Sequence, residues 1–239
     1  MCAVHRLLDE DFTHIRNFSE NNLPVKLVIF DCDGVLVDSE FISNTVMAEV
    51  LSALGSKTSY NECLALFLGH SWSDCLEVIE DKLQKKMPDD FYDMYMNKVF
   101  ERFDKELKPI DGIKEVLNNI SYRFCVASSG PHEKINKTLT ITGLIKKFKG
   151  KIYSADDVKR GKPHPDLFLH AALDMDACPS ETIVVEDSLP GVKAGIAAGM
   201  TVLAYNPYPN VPDQFEKEGA FVFKSMSHLP KLLKGLSKI

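Results

Sequence analysis

The stretch VIFDCDGVLVDSE, from Val28 to Glu40, places two carboxylates directly after a short hydrophobic run. The apolar residues of KLVIF (26–30) are continuous, which predicts a strand buried on both faces of a parallel sheet. Asp31 follows this strand at once, and the sequence then continues with Cys32, Asp33 and Gly34. Two anions at this spacing repel each other, so we expect a nearby cation to offset their charge.

The overall composition is that of an ordinary globular protein. Its 239 residues are 45% hydrophobic and 26% charged, and the net charge is −6. This acidic balance argues against nucleic-acid or broad membrane binding, both of which need a basic face. No apolar run reaches the roughly 18 residues of a membrane span. The six cysteines are scattered without a CxxC pair, so we expect reduced thiols and a cytoplasmic protein. We also expect it to be monomeric or only weakly associating.

Beyond Glu40 the hydrophobic period changes from that of a strand to that of a helix. Apolar residues recur at helical spacing from Ile42 to Leu54, and Ser59 with Glu62 forms a possible capping box. Ser71 and Asp74 have the same spacing ahead of CLEVIEDKL, and a long amphipathic stretch covers residues 89–107. These patterns predict an all-helical segment of about 70 residues directly after the first strand.

Short apolar strands then alternate with helical patterns to the end of the chain. We predict strands at 122–129, 151–154, 182–187 and 201–205, and helices near 112–120, 131–140, 165–174 and 189–198. Such alternation is typical of right-handed βαβ units and a parallel sheet covered on both faces. The predicted fold is therefore α/β, a Rossmann-like parallel sheet core (25–40 and 108–239) with an inserted all-helical domain (41–107). Residues 1–24 form a polar leader whose role stays open.

Polar residues collect at the predicted carboxyl ends of three strands, which is where ligands bind in an open α/β sheet. These groups are Asp31 with Asp33, Ser128-Ser129-Gly130, and Glu186-Asp187, and Lys162 lies in GKPHP just before a helix. Each motif alone is explained equally well as a turn, a helix cap or a stiff loop. All four together, at successive strand ends, indicate a site for a hard metal ion and a phosphate group.

The same four motifs resemble those of the haloacid dehalogenase superfamily, over about residues 26–227. The helical insertion after the first motif resembles the C1 cap of that superfamily, in its β-phosphoglucomutase-like and sugar-phosphate phosphatase branch. The resemblance implies a Mg²⁺-dependent phosphatase that hydrolyses a small phosphate monoester, a sugar or sugar-acid phosphate, through an aspartyl-phosphate. Asp33 favours phosphoryl transfer over dehalogenation, because dehalogenases of the superfamily lack a matching aspartate.

The resemblance also implies roles for the paired aspartates and for the residues around them. Asp31 would be the nucleophile, and Asp33 would protonate the leaving group and then activate water. Mg²⁺ would be held by the Asp31 carboxylate, the Asp33 backbone carbonyl and Asp187, with Glu186 close by. Because Asp33 has to carry a proton, we expect the neighbouring acids to raise its proton affinity.

A second group of residues would bind the phosphate. Ser128 would donate a hydrogen bond to a phosphoryl oxygen. The amides of Ser129 and Gly130 would lie at the start of a helix and would bind the same phosphoryl group. Lys162 would bind both the phosphate and Asp31. We expect Pro163 to keep Lys162 out of a helix and Pro165 to take the first helical position.

The cap is expected to select the substrate, a small phosphorylated metabolite. Its loop LGHSWSD (68–74) matches the family loop that faces the core, so His70, Ser71 and Trp72 are candidate substrate contacts. The mutase of the family has basic residues where this chain has Leu68 and Trp72, and a histidine where it has Ser43. These differences favour a phosphatase, with a sugar-phosphate mutase as the first alternative and a silent binding protein as the second. Packing of Trp72 in the cap stays an equal alternative to substrate contact.

Overall fold

A six-stranded parallel sheet forms the centre of the part of the chain that the structure describes, residues 25–67, 72–207 and 214–237. The structure is a computed structural model. The strands are β1 (Leu27–Phe30), β2 (Arg123–Ser128), β3 (Ile152–Ser154), β4 (Thr182–Glu186), β5 (Thr201–Tyr205) and β6 (Phe221–Phe223). Their spatial order is β3-β2-β1-β4-β5-β6, so β1 lies at the centre of the sheet.

Strand β1 is buried on both faces, as its continuous apolar run predicts. Phe30 lies opposite Val126 of β2 and Val185 of β4. Val28 and Phe30 belong to one hydrophobic cluster, and the alternate residues Leu27 and Ile29 belong to the cluster on the other face. The ladder continues one residue further, because the Asp31 amide donates a hydrogen bond to the Val185 carbonyl at 2.9 Å. The Asp31 carboxylate is thereby fixed at the carboxyl edge of the sheet.

Four of the helices between β1 and β2 form the predicted helical cap. They are α1 (Ser39–Ala53), α2 (Tyr60–Phe67), α3 (Trp72–Leu83) and α4 (Phe91–Glu106). The capping box is confirmed, since the Ser59 amide donates to Glu62 Oε2 at 2.8 Å and the Glu62 amide donates to Ser59 Oγ at 3.3 Å. The Tyr95 hydroxyl of α4 donates to the Ser43 carbonyl of α1 at 3.1 Å, which ties the two helices together.

The remaining helices cover both faces of the sheet. They are α5 (Ile113–Asn119), α6 (His132–Ile141), α7 (Ile145–Phe148), α8 (Asp166–Asp174), α9 (Leu189–Ala197) and α10 (Leu229–Ser237). Helices α8 and α9 share a hydrophobic cluster with Leu27 and Ile29, whereas α5, α6 and α10 share the other cluster with Val28 and Phe30. The α/β class with a helical insertion is therefore confirmed, while the domain limits at 40/41 and 107/108 stay a prediction.

Several elements differ from expectation. β6, α7 and α10 were not predicted, because three or four residues are too few to show a period and α10 follows a mixed polar stretch. The leader 1–24 and the loop residues Leu68, His70 and Ser71 lie outside the described residues.

Cys32, Cys63, Cys75 and Cys125 are buried free thiols, and Cys178 is an exposed one. Where the chain is described, none of its helices is both long and apolar enough to cross a membrane.

Candidate active site

Lys162 is the buried cation at the centre of the site. Its Nζ donates to Asp31 Oδ1 at 2.5 Å, to Glu186 Oε1 at 2.7 Å and to the Ala127 carbonyl at 3.2 Å. The side chains of Asp31, Lys162 and Glu186 are 9%, 4% and 1% exposed. The three side chains predicted from separate motifs thus meet at the carboxyl edge of the sheet.

The electrostatics of this cluster leave an excess of negative charge. Burial raises the pKa of the Asp31 carboxyl to about 7, although Lys162 opposes the shift. Burial alone would lower the pKa of Lys162, but the charges of Asp31 and Glu186 raise it above its ordinary value, so this group stays an ammonium ion. Burial, with the charges of Glu186 and Asp31, also holds the pKa of Asp187 well above its usual range. One lysine is too little for three acids, and the site favours a further cation.

Gly34 brings the Asp187 carboxylate against the first motif. Its φ of +73° is the left-handed conformation that glycine adopts without strain. A Cβ at this position would lie 1.7 Å from Asp187 Oδ2. Both the turn after Asp33 and the close approach of Asp187 therefore require glycine here.

Glu186 is held differently from the expectation that it lies among the metal ligands. Its Oε2 accepts hydrogen bonds from the backbone amides of Asp187 and Ser188 at 2.8 and 2.7 Å and from Ser188 Oγ at 2.9 Å. Its Oε1 accepts from Lys162. With both oxygens engaged, Glu186 anchors Lys162 and the β4–α9 loop.

The remaining oxygens fit a hard divalent cation. In the described part of the chain the Asp187 carboxylate accepts no hydrogen bond, and no group of three His, Cys, Asp or Glu side chains converges on one point. A cation here would take the carboxylates of Asp31 and Asp187, the Asp33 backbone carbonyl and water, which is an all-oxygen donor set. Asp31, Asp33 and Asp187 therefore stay the predicted ligands, whereas both oxygens of Glu186 are already hydrogen-bonded.

Asp33 pairs with a lysine, Lys134, which the sequence analysis did not identify. Lys134 Nζ donates to Asp33 Oδ2 at 2.8 Å, and Ser39 Oγ donates to Asp33 Oδ1 at 2.8 Å. Burial would raise the pKa of Asp33, but Lys134 and Ser39 bring it below the ordinary value. The expectation that the proton affinity of Asp33 is raised is wrong for this structure, because the Lys134 charge and the hydrogen bonds from Lys134 and Ser39 outweigh the effect of burial.

Glu40 is a further acid near Asp33 that the motif analysis did not identify. Burial, with the charge of Asp33, raises the pKa of Glu40 to about 7. Asn44 Nδ2 donates to Glu40 Oε2 at 3.2 Å, one turn along α1. Glu40 and Ser39 belong to the stretch that follows the paired aspartates, which was a usable signal. Lys134 gave none, because a lysine on an amphipathic helix normally faces solvent.

The predicted phosphate-binding turn lies beside this cluster. Ser128 ends β2 and is 1% exposed, and the Gly130 amide donates to its Oγ at 3.1 Å. Helix α6 begins only at His132, so Ser129 and Gly130 form the turn before the helix and the expectation that their amides open it is wrong. Pro131, which precedes α6, has an extended backbone (φ −65°, ψ 155°), so the helix starts after it. Similarly, α8 begins at Asp166, one residue after Pro165.

Trp72 packs within an aromatic cluster of the cap. Its ring is stacked on Tyr95 with a centroid distance of 5.6 Å and an interplanar angle of 16°. Tyr92 and Phe91 lie at centroid distances of 4.8 and 6.1 Å. These contacts support the packing alternative for Trp72, while its contact with substrate stays a prediction.

The parallel sheet, the helical cap and the buried acid–lysine cluster together define a class of protein: hydrolases with paired aspartates, a Rossmann-like core and an inserted helical cap. Residues 28–205 match the family model of haloacid dehalogenase-like hydrolases. The chain is 32% identical over 215 residues to the 6-phosphogluconate phosphatase of Escherichia coli K12, a match covering 88% of this chain and 95% of that protein. It therefore belongs to the haloacid dehalogenase superfamily, and its named relatives make it a phosphatase.

Solved structures show the same fold over nearly the whole chain. A haloacid dehalogenase-like protein of unknown function from Agrobacterium tumefaciens C58 superposes with a TM-score of 0.82 at 33% identity, covering 89% of this chain and 99% of that one. A HAD family hydrolase from Deinococcus radiodurans R1, solved with bound phosphate and sodium, gives a TM-score of 0.76 at 30% identity, covering 89% and 96%. Phosphatases of this superfamily generally use a divalent metal ion.

Proposed function

We propose that the protein is a Mg²⁺-dependent phosphatase that hydrolyses a small phosphate monoester, a sugar or sugar-acid phosphate, through phosphorylated Asp31. The observation that carries this proposal is the buried Asp31 carboxylate, which is held by Lys162 through Oδ1 at the carboxyl edge of the sheet. The second oxygen of Asp31 is left for attack or for a cation. The similarity to a 6-phosphogluconate phosphatase supports a sugar-acid phosphate as the substrate class.

In the first half-reaction an Asp31 oxygen attacks phosphorus, and the bond from phosphorus to the sugar oxygen breaks. The Asp31 and Asp187 carboxylates and the Asp33 backbone carbonyl would hold Mg²⁺, which would supply positive charge that offsets the acids and the phosphoryl group. Asp33 protonates the departing oxygen. Asp33 is ionised in this structure, so it must first gain a proton, and the negative charge of an arriving phosphate raises its proton affinity in the required direction.

In the second half-reaction Asp33 removes a proton from water, and the water oxygen attacks the phosphorus of the aspartyl-phosphate. The bond from phosphorus to Asp31 breaks, which regenerates the carboxylate and releases inorganic phosphate. Ser128, the turn of Ser129 and Gly130, and Lys162 would hold the phosphoryl oxygens in both steps.

The cap supports hydrolysis over transfer to a second sugar. Ser43 and Trp72 stand where the mutase has basic or imidazole side chains, and Trp72 packs against Tyr95. No cation at these two positions would hold a second phosphate. His70 and Ser71 of the cap loop remain proposed substrate contacts, and a cytoplasmic location and a monomeric state stay predictions.

The experiment is a phosphate-release screen over 6-phosphogluconate, sugar 1-phosphates and sugar 6-phosphates. We expect hydrolysis that EDTA abolishes and Mg²⁺ restores, and Asp31→Asn should remove turnover without unfolding the protein. Full turnover in metal-free buffer would contradict the metal role. Rapid interconversion of sugar 1- and 6-phosphates with little free phosphate would show a mutase instead.

A further inference from the structure

Lys134 is a charged residue of the site that lies outside the four motifs. It lies on α6, and its Nζ contacts Asp33 Oδ2 at 2.8 Å across 101 residues of sequence. The side chains of Lys134 and Asp33 are 20% and 23% exposed. The pair is thus mostly buried, yet it keeps an open side on which a substrate can reach Asp33.

The stem of Lys134 runs beside the phosphate-binding turn. A Cβ built on Gly130 would lie 3.3 Å from Lys134 Cδ and 3.6 Å from Ser128 Oγ. The missing side chain of Gly130 therefore leaves the space through which Lys134 reaches Asp33. The Lys134 side chain therefore passes beside Gly130 of the proposed phosphate-binding turn before its ammonium group contacts Asp33.

Helix α6 and helix α1 together fix the orientation of the Asp33 carboxylate. One turn after Lys134, the Thr138 hydroxyl lies 3.7 Å from Cys32 Sγ, so α6 contacts the Asp31–Asp33 segment at two successive turns. Ser39, the first residue of α1, donates to the other oxygen of Asp33 at 2.8 Å. A carboxylate held through both oxygens from two helices has little rotational freedom.

We propose that Lys134 is a positioning residue for the reaction, holding the Asp33 carboxylate in the orientation that faces first the leaving oxygen and then the attacking water. This inference rests on the proposed phosphatase function, in which Asp33 handles both protons. Catalytic groups that are displaced by about 1 Å typically lose about 10²-fold in rate. Lys134 contacts Asp33 and no other acidic side chain by hydrogen bond in the described part of the chain, so its loss should act on the chemical steps.

Lys137 provides a matched control on the same helix. It lies one turn beyond Lys134, and its Nζ pairs with Asp104 of α4 at 3.1 Å and lies 5.2 Å from the centre of the Phe100 ring. Both side chains of that pair are at least 36% exposed. Lys137→Met removes the same charge from α6 without touching the site.

The experiment compares Lys134→Met, Lys134→Arg and Lys137→Met with the wild type, in Mg²⁺. For the best sugar phosphate of the screen we expect Lys134→Met to lower kcat by about 10- to 10²-fold with KM nearly unchanged, because the lost contact orients a reacting group. Lys134→Arg should restore part of kcat, and Lys137→Met should match the wild type. Ser39→Ala, which frees the other Asp33 oxygen without changing charge, should lower kcat in the same manner and serves if Lys134→Met folds poorly.

p-Nitrophenyl phosphate separates positioning from a merely structural role. Its leaving group departs without a proton, so attack by Asp31 should survive in Lys134→Met, whereas water activation should slow. We expect a burst of p-nitrophenol followed by slow turnover; a partly unfolded enzyme would lower both phases equally. Equal kinetics of Lys134→Met and Lys137→Met on an active wild type would overturn this inference alone. A wild type that releases no phosphate would overturn the proposed function itself.

Discussion

At the scale of single residues, the two aspartates of the first motif are neutralised by two different lysines. Lys162 pairs with Asp31 and Lys134 pairs with Asp33, each through a direct hydrogen bond. Lys134 lies on the helix that follows β2, and Lys162 lies in the loop that follows β3. The two aspartates can therefore lie close together without sharing one counter-ion. Asp187 has no such partner within the described residues, which makes it the acid that most needs a bound cation.

The close approach of Gly34 and Asp187 gives a prediction for a single added methyl group. Gly34→Ala should displace Asp187 from the cation site, because the new Cβ would overlap Oδ2. We expect activity to fall by about 10- to 100-fold at a fixed Mg²⁺ concentration, as for other changes that disturb metal ligands. Backbone strain should also lower the free energy of unfolding by about 1–2 kcal/mol. Phosphate release and urea denaturation measure the two effects.

Gly143 offers a control with the same backbone strain and no clash. Its φ is +74°, against +73° at Gly34, and a Cβ there would meet nothing within 4 Å. Gly143→Ala should lose comparable stability and keep full activity. Equal activity of the two alanine variants would show that the approach of Gly34 to Asp187 has no part in catalysis.

At the scale of elements, the sequence predicts the helices and strands whose hydrophobic pattern is long or ends at a clear boundary. β1 is a continuous apolar run ended by an acid, and its limits were predicted within one residue. β6 has three residues and no such boundary, so no periodic signal exists. The start of α6 was misplaced because a proline fits either just before a helix or in its first turn. The contact of α6 with Asp33 spans 101 residues and depends on tertiary packing, which no local pattern encodes.

The cap helices give the second prediction, which concerns Trp72. Trp72→Ala removes a ring that contacts Phe91, Tyr92 and Tyr95. We expect a loss of about 2–4 kcal/mol in the free energy of unfolding, with KM nearly unchanged. Trp72→Phe, which keeps a ring in place, should recover most of the stability. Trp72 is the only tryptophan, so unfolding has to be followed by circular dichroism, and a raised KM at normal stability would instead place the indole in the substrate site.

At the scale of the whole molecule, the acids of the site make stability depend on pH. The pKa values of Asp31 and Glu40 are raised to about 7 from ordinary values of 3.8 and 4.5, chiefly by burial. Burial, together with the charges of Glu186 and Asp31, also raises the pKa of Asp187 well above its ordinary value. Between about pH 4 and pH 7 the folded protein therefore binds more protons than the unfolded chain, so stability falls as pH rises. Acids with lowered pKa values, such as Asp33 and Asp157, have the opposite effect, but only near and below their ordinary value of 3.8.

The last prediction follows from the competition between protons and a cation for these acids. In EDTA, the free energy of unfolding should decrease from pH 5 to pH 8, by up to about 1.4 kcal/mol per pH unit for each extra proton bound. Mg²⁺ should add more stability at pH 8 than at pH 5, because at the lower pH protons occupy Asp31 and Asp187. Glu40→Gln should flatten the metal-free slope while leaving the Mg²⁺ increment intact, since Glu40 is outside the proposed ligand set. Urea titrations at four pH values, with EDTA or Mg²⁺, measure all three effects. A metal-free stability that rises steadily from pH 5 to pH 8 would contradict the charge balance assigned to the site.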